Sequence, residues 1–126
     1  MDTNELTHEI IAAAIEVHRR LGPGLLETVY RKCLAYELRK RGFEVLEEHP
    51  VPVIYDEVHQ ECGFRADLLI NHRVIVELKA KSEIHPLDKA QTLSHLRLMN
   101  LRVGLLINFH VERLVDGISR IINGYE

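Results

Sequence analysis

The 126-residue chain lacks the features that mark membrane and secreted proteins. It has no apolar run that approaches the roughly 20 residues of a transmembrane helix, and its N-terminus shows no signal-peptide pattern. Its two cysteines, Cys33 and Cys62, form no paired-thiol motif, so we expect two reduced thiols rather than a disulfide. These absences predict a cytoplasmic protein with no membrane partner.

Several kinds of enzyme site are also absent. None of the eight histidines has the His-x-x-x-His spacing of a helical zinc site, and no Cys-His cluster occurs. There is no Gly-rich phosphate loop and no Gly-x-Ser-x-Gly elbow, because Gly22-Pro23-Gly24 is too short and is better explained as a helix breaker. The sequence therefore disfavours zinc chemistry, nucleotide hydrolysis and serine-type acyl transfer.

The chain also has no excess of positive charge. It contains 16 Lys and Arg residues and 19 Asp and Glu residues, which give a net charge of −3 at pH 7. Phosphate groups are contacted by individual basic side chains, so a nucleic-acid partner would need a local basic patch. Arg39-Lys40-Arg41 and the pair of Lys79 and Lys81 are candidates, although a solvated helix end explains the first cluster equally well.

The length predicts one domain over residues 1–126, and the helices and strands predicted below are those of an α/β domain. Apolar residues at helical spacing predict helices at about residues 4–21 and 25–41, and His85-Pro86 precedes a third. The third helix carries the apolar residues Leu87, Ala90, Leu93 and Leu98.

Runs of strand-forming residues predict a sheet. The predicted strands cover about residues 43–55, 58–70, 74–78 and 102–109, and a short strand is favoured over a helix within 113–122. Pro50 and Pro52 remove hydrogen-bond donors and place the first strand at an edge or a bend, while Gly63 indicates a bulge or a close approach. The strand at 102–109 is parallel to its neighbour if the third helix is a crossover connection.

One predicted hairpin has a register that can be worked out from its loop. Residues 68–70 and 74–78 pair around Asn71-His72-Arg73, which sets Leu69 opposite Ile75. The even-numbered apolar residues of the hairpin then share one face, which must be covered by other elements. We therefore expect a sheet that is packed on both sides.

The opposite face of this hairpin carries charged side chains inside an apolar frame. Asp67 lies opposite Glu77 in the same register, and Lys79 falls on that face two residues further on. Charged groups cannot be desolvated at low cost unless a cation or a ligand compensates them. Asp67, Glu77 and Lys79 are therefore candidate site residues.

A further acidic residue, Glu27, has two interpretations. It lies three residues before Tyr30 on the second helix, at the flank of the buried face, and can point inward with it. The alternative is an exposed i,i+4 ion pair with Arg31. In the first case Glu27, Asp67 and Glu77 form a set of hard oxygen ligands of the kind that suits Mg²⁺ or Mn²⁺.

These residues resemble the pattern of the PD-(D/E)XK nuclease superfamily. Asp67 is followed after nine residues by Glu77-Leu78-Lys79, with a helical Glu upstream and the helical Gln91 downstream. The segment Gly24-Leu-Leu-Glu27-Thr-Val-Tyr30 is also similar to the signature of the GxxExxY family, a branch assigned to that superfamily. One departure is visible, because Ala66 stands where the superfamily's name has proline.

The resemblance implies a restriction-endonuclease-like αβββαβ core, in which helices flank a central mixed sheet. It implies metal-holding roles for Asp67 and Glu77 and an accessory acidic role for Glu27. Lys79 and Gln91 take supporting roles, the lysine by orienting water or offsetting charge on the phosphorane and the glutamine by positioning the nucleophile or a backbone phosphate.

The activity implied is Mg²⁺- or Mn²⁺-dependent hydrolysis of phosphodiester bonds in nucleic acid, with DNA favoured over RNA. Two alternatives stay open. One is a module that keeps the fold and binds nucleic acid or a protein without cleavage, and the other is a structural or regulatory subunit in which Glu77 and Lys79 form an ion pair. A homodimer also stays open.

Overall fold

The computed structural model describes residues 1–124, with the exception of the side chain of Cys62. The elements in chain order are α1 (Thr3–Leu21), α2 (Glu27–Lys40), β1 (Val45–Tyr55), β2 (Val58–Ile70), β3 (Val74–Lys79), α3 (Pro86–Met99), β4 (Val103–Asn108), a 3₁₀ helix (Leu114–Gly117) and β5 (Ile118–Ile122). The last segment, for which a short strand was favoured, is therefore a 3₁₀ turn followed by a strand. Of the two predicted thiols, Cys33 is free, and the side chain of Cys62 lies outside the described part.

The five strands form one mixed sheet in the order β1-β2-β3-β4-β5. The first three strands are antiparallel to one another, β4 is parallel to β3, and β5 is antiparallel to β4. Since α3 connects β3 to the parallel β4, it is a crossover helix, as the sequence predicted. The predicted αβββαβ core is confirmed, with α1 added before it and β5 after it.

The main core lies between the sheet and the pair α1 and α2. The apolar hairpin face predicted from the register packs here, and its members are Leu68, Ile70, Val74, Val76 and Leu78. Asp2 caps α1 by accepting a hydrogen bond from the Glu5 N–H at 2.8 Å. Gly22 and Gly24, both with positive φ, make the tight connection to α2.

The opposite face of the sheet is covered by α3, and three of the four apolar residues noted in the sequence of this helix are exposed. Leu87 is 71% exposed and Leu98 is 37% exposed, and Ala90 is exposed as well, so these residues do not form the buried face of the helix. The buried residues are Asp88, Thr92, His95 and Leu96. The physical reason is that α3 lies against charged residues of β3, so that polar contacts rather than the apolar pattern set its rotation.

The long hairpin of β1 and β2 forms one border of the sheet. Pro50 and Pro52 lie in β1, an edge strand, as predicted. The register shifts between Val51 and Val53, and a Cβ atom at Gly63 would lie 2.5 Å from Val53 Cγ2. Both the irregularity and the close approach expected at Gly63 are therefore present. Within residues 1–124, no helix is both long and apolar enough to cross a bilayer.

Candidate active site

The pairing of β2 with β3 brings two carboxyl groups together. Leu68 pairs with Val76 and Leu69 with Ile75, which is the register derived from the sequence. Asp67 and Glu77 come next along the hairpin, close enough for the charge of Glu77 to raise the pKa of Asp67. Two carboxyl groups this close disfavour the state in which both are ionised.

The surroundings of Asp67 explain why it keeps a proton. Burial raises the pKa of Asp67 to about 7, and the negative charge of Glu77 contributes the next largest part of the rise. The Leu78 N–H donates to Asp67 Oδ2 at 2.7 Å and opposes the shift, while the charge of Glu27 adds to it. Two acidic groups therefore act on the desolvated carboxyl of Asp67, which is an environment that a cation would stabilise.

Glu27 is exposed and forms the first turn of α2, from which its charge acts on Asp67. The alternative ion pair with Arg31 is not formed. Arg31 lies instead against the β1 carboxylates, with Nε 3.7 Å from Glu47 Oε1 and Nη1 3.4 Å from Glu48 Oε1. The structure thus places Glu27 toward the acidic pair.

The loop that sets the start of α2 is held by Tyr30. The Tyr30 hydroxyl donates to the Gly22 carbonyl at 2.6 Å and accepts from the Leu25 N–H at 3.1 Å. Its ring stacks on Phe109 at a centroid distance of 4.5 Å. The tyrosine of the Gly24-to-Tyr30 segment therefore fixes the turn that carries Glu27, and sequence reasoning gave it no such role.

Lys79 ends β3 with its side chain partly exposed, and its nearest acidic partner is Asp88. Lys79 Nζ lies 3.9 Å from Asp88 Oδ1, and Lys81 Nζ lies 2.6 Å from Asp88 Oδ2. The same carboxylate accepts from the His85 N–H at 2.8 Å and so closes the first turn of α3. The hydrogen bond from Lys81 holds the pKa of Asp88 below its usual range, although burial opposes this.

Sequence reasoning missed Asp88, which a capping pattern after His85-Pro86 can reveal, because Asp88 is the third residue after the N-cap. It also missed Asn108, whose side chain accepts from the Lys81 N–H at 3.2 Å and donates to the Lys81 carbonyl at 2.8 Å. Together these two residues hold the segment that follows Lys79 against the ends of β4 and α3.

Glu77 is joined to a residue that the sequence did not single out. His95 Nδ1 lies 2.7 Å from Glu77 Oε1, and both residues are buried, with 1% and 7% of their surfaces exposed. The Glu77 carboxylate therefore contacts His95. The alternative of a structural subunit required an ion pair between Glu77 and Lys79 instead. The available signal was spacing, since His95 follows the buried Asp88 by seven residues on α3.

Gln91 lies on α3, four residues before His95. Its side chain is exposed on α3, and it makes no hydrogen bond within residues 1–124. The structure therefore brings together Asp67 and Glu77, with Glu27 and Lys79 at the margins, and leaves Gln91 facing solvent.

Asp67 and Glu77 offer carboxylate oxygens to a divalent ion. Within residues 1–124, no three His, Cys, Asp or Glu side chains are already arranged around one ion position. Asp67 and Glu77 nevertheless supply hard oxygens in a crowded acidic position, which suits Mg²⁺ or Mn²⁺, ions that keep several waters beside one or two carboxylates. The two residues fit such an ion, and Glu27 as a third ligand stays a prediction.

Comparison with known proteins identifies the family of the chain. The model of a family described as the PD-(D/E)XK nuclease superfamily matches residues 4–121, which is nearly the whole sequence. Neither the curated proteins nor the solved structures give a significant match. Taken with the αβββαβ core and the Asp67 and Glu77 pair, the match shows that the chain belongs to the PD-(D/E)XK nuclease superfamily.

Proposed function

We propose that this protein is a metal-dependent nuclease that hydrolyses phosphodiester bonds of nucleic acid. The observation that carries the proposal is the meeting of Asp67 and Glu77 on one desolvated face of the sheet, where the pKa of Asp67 rises to about 7. A carboxyl pair of this kind lowers stability unless a proton or a cation lies between its members. Family membership makes a divalent cation the expected occupant.

In this proposal Asp67 and Glu77 hold Mg²⁺ or Mn²⁺, and Glu27 approaches from the first turn of α2. The bound ion supplies polarisation of the scissile phosphate and a lower pKa for a coordinated water. The protein's own contribution is to hold the two carboxylates still, since β2 and β3 are paired strands at the centre of the sheet.

Lys79 is the proposed cationic assistant of the reaction. Its ammonium group is 3.9 Å from Asp88 Oδ1, a separation that gives a weak ion pair, and its side chain is partly exposed. The ammonium group is therefore free to contact a phosphate or the attacking water and to offset the charge of the phosphorane. Gln91, exposed on α3, is proposed to contact the nucleophile or a backbone phosphate, and DNA is proposed as the preferred substrate.

A cleavage assay tests this function. End-labelled duplex DNA, single-stranded DNA and RNA are incubated with the protein in Mg²⁺, Mn²⁺ or EDTA. We expect cleavage only with a divalent ion, and Lys79→Ala should reduce it by ~10²-fold or more, the scale seen when one transition-state stabiliser is removed. Lys32→Ala, which removes an exposed lysine of α2, is the matched control and should cleave like the wild type.

The assay also separates the proposal from its alternative. Binding of a labelled strand with no cleavage in any metal would support the module that binds without cutting. Equal cleavage by wild type and Lys79→Ala would show that a contaminating nuclease or another site is responsible.

A further inference from the structure

We propose that His95 is a positioning residue for Glu77, fixing the orientation of its carboxylate through Nδ1. The inference rests on the proposed function, because Glu77 is one of the two carboxylates assigned there to the divalent ion. Its evidence is a contact of 2.7 Å between His95 Nδ1 and Glu77 Oε1, made between two residues that are both more than nine-tenths buried.

The imidazole has one polar contact and one unused nitrogen. An ionised Glu77 can only accept, so Nδ1 carries the hydrogen, and Nε2 of a neutral ring is then a bare acceptor. Among the described residues Nε2 is buried without a hydrogen-bond partner. On its other side the ring meets the aromatic ring of Phe64 at 5.1 Å.

A buried polar atom without a partner costs free energy that an apolar side chain in the same place would avoid. Packing alone therefore gives no reason for an imidazole at position 95. The hydrogen bond to Glu77 is the feature that an apolar residue cannot reproduce, and it is the one to which we assign a function.

Orientation of Glu77 matters because its neighbour repels it. The charges of Asp67 and Glu77 oppose each other, as the raised pKa of Asp67 records, and a glutamate side chain has three rotatable bonds by which to swing away. A donor on Oε1 restrains that rotation and leaves Oε2 as the oxygen not bonded to His95. Hydrogen-bonded partners of metal-binding carboxylates act in this way, and their loss typically costs 10–100-fold in metal affinity.

The fold delivers His95 to this position through α3. The helix begins a few residues after β3, and the Asp88 carboxylate closes its first turn while bonding Lys81. Because α3 is held in this way at its N-terminus, its second and third turns lie along β3. His95 is thereby presented to Glu77 from a rigid element.

Titration with Mn²⁺ alone, followed by the electron spin resonance signal of the free ion, tests the role of His95 without requiring catalysis. His95→Leu removes the donor, and we expect its Mn²⁺ dissociation constant to rise by ~10-fold or more. His95→Asn keeps an amide N–H close to the place of Nδ1 and should restore most of the affinity. Thr92→Val changes another buried polar residue of α3, whose hydroxyl donates to the Asp88 carbonyl, and should leave the affinity unchanged.

The outcomes distinguish this inference from the function on which it rests. Equal affinity of wild type and His95→Leu would overturn the inference and leave the metal site standing. Equal losses in His95→Leu and His95→Asn would also overturn it, since packing would then be the cause. No Mn²⁺ binding by the wild type would overturn the proposed function, and the inference with it.

Melting in EDTA verifies that each variant is folded. If His95→Leu does not fold, His95→Gln replaces it, because the longer side chain puts its amide near the place of Nε2 and leaves Oε1 of Glu77 without its donor. We then expect a higher Mn²⁺ dissociation constant for His95→Gln than for His95→Asn, and equal constants would overturn the inference.

Discussion

The carboxyl group of Glu77 raises the pKa of Asp67, because the two groups lie close together on the face of the sheet that α3 covers. They approach because the hairpin register sets them opposite, two residues beyond the pairing of Leu69 with Ile75. Neither strand can move its carboxylate away without breaking the apolar pairing on the other face. The crowding is thus a consequence of the fold, and it can be measured.

The raised pKa of Asp67 gives the protein a distinctive dependence of stability on pH. The ordinary pKa is 3.8 and the folded value is about 7. Between these values the folded state holds a proton that the unfolded state has released, so the free energy of unfolding falls as pH rises from about 4 to about 7 and is level above that. We expect Asp67→Asn to lose this dependence on pH. In the wild type the total fall in unfolding free energy over this range is about a few kcal/mol.

Urea unfolding in EDTA at pH 5 and pH 8, for wild type and Asp67→Asn, measures the difference. Titrating groups away from Asp67 affect both proteins alike. The quantity to compare is therefore the difference in unfolding free energy between wild type and Asp67→Asn, at pH 5 and at pH 8. The same slope in both proteins would show that the fold does not raise the pKa of Asp67.

Tyr30 is predicted to stabilise the turn before α2 through its hydroxyl. Tyr30→Phe removes the bonds to the Gly22 carbonyl and the Leu25 N–H while keeping the stacking on Phe109. The expected loss is about 1–2 kcal/mol, because a part-buried N–H and carbonyl lose their partner. Thermal unfolding checks this, and Tyr36→Phe, at an exposed position of the same helix, serves as the control that should not change.

Asp88 is predicted to be a stabilising residue of α3. Asp88→Ala removes the acceptor for the His85 N–H and leaves Lys81 without its carboxylate, so we expect a loss of about 2 kcal/mol at pH 7. The pKa of Asp88 is lowered in the fold, so its contribution is present above its ordinary value of 3.8 and is lost as pH falls through the folded value.

Chemical unfolding at pH 7 and at pH 3 tests this assignment. The unfolding free energies of wild type and Asp88→Ala should differ clearly at pH 7 and less at pH 3. Glu83→Ala, a change of an exposed acidic residue ahead of α3, should match the wild type at both pH values. If the difference in unfolding free energy between wild type and Asp88→Ala is as large at pH 3 as at pH 7, an ionised Asp88 is not its cause.

The hairpin and its register were predictable from the sequence because strand side chains alternate with a period of two and a short loop fixes the pairing. The rotation of α3 about its axis was not predictable in this way, since its apolar residues Leu87 and Leu98 lie on the exposed side of the helix. Its buried face is chosen by the contacts of Asp88 with Lys81 and of His95 with Glu77. The contact of His95 with Glu77 joins two elements 18 residues apart, and no local pattern encodes it.

Glu27 and Gln91 show the same limit within the candidate site. A residue's position on a helix face follows from spacing, but its distance from the sheet depends on how the helix packs. Glu27 is directed by the Tyr30 contacts of the preceding loop, whereas Gln91 lies on an exposed part of α3. The family resemblance named both residues, and the structure adds that the charge of Glu27 raises the pKa of Asp67.

The most direct test of the metal site is the thermal unfolding of wild type and Glu77→Gln in EDTA and in Mn²⁺. Removing one charge relieves the crowding, and a glutamine can still accept from His95 and donate to Asp67, so Glu77→Gln should melt at the same or a higher temperature in EDTA. Mn²⁺ at about ten times its Kd should stabilise the wild type by about 1.4 kcal/mol, a shift of several degrees, and leave the variant unchanged. A large fall in the melting temperature of Glu77→Gln in EDTA, with no response of the wild type to Mn²⁺, would contradict the account.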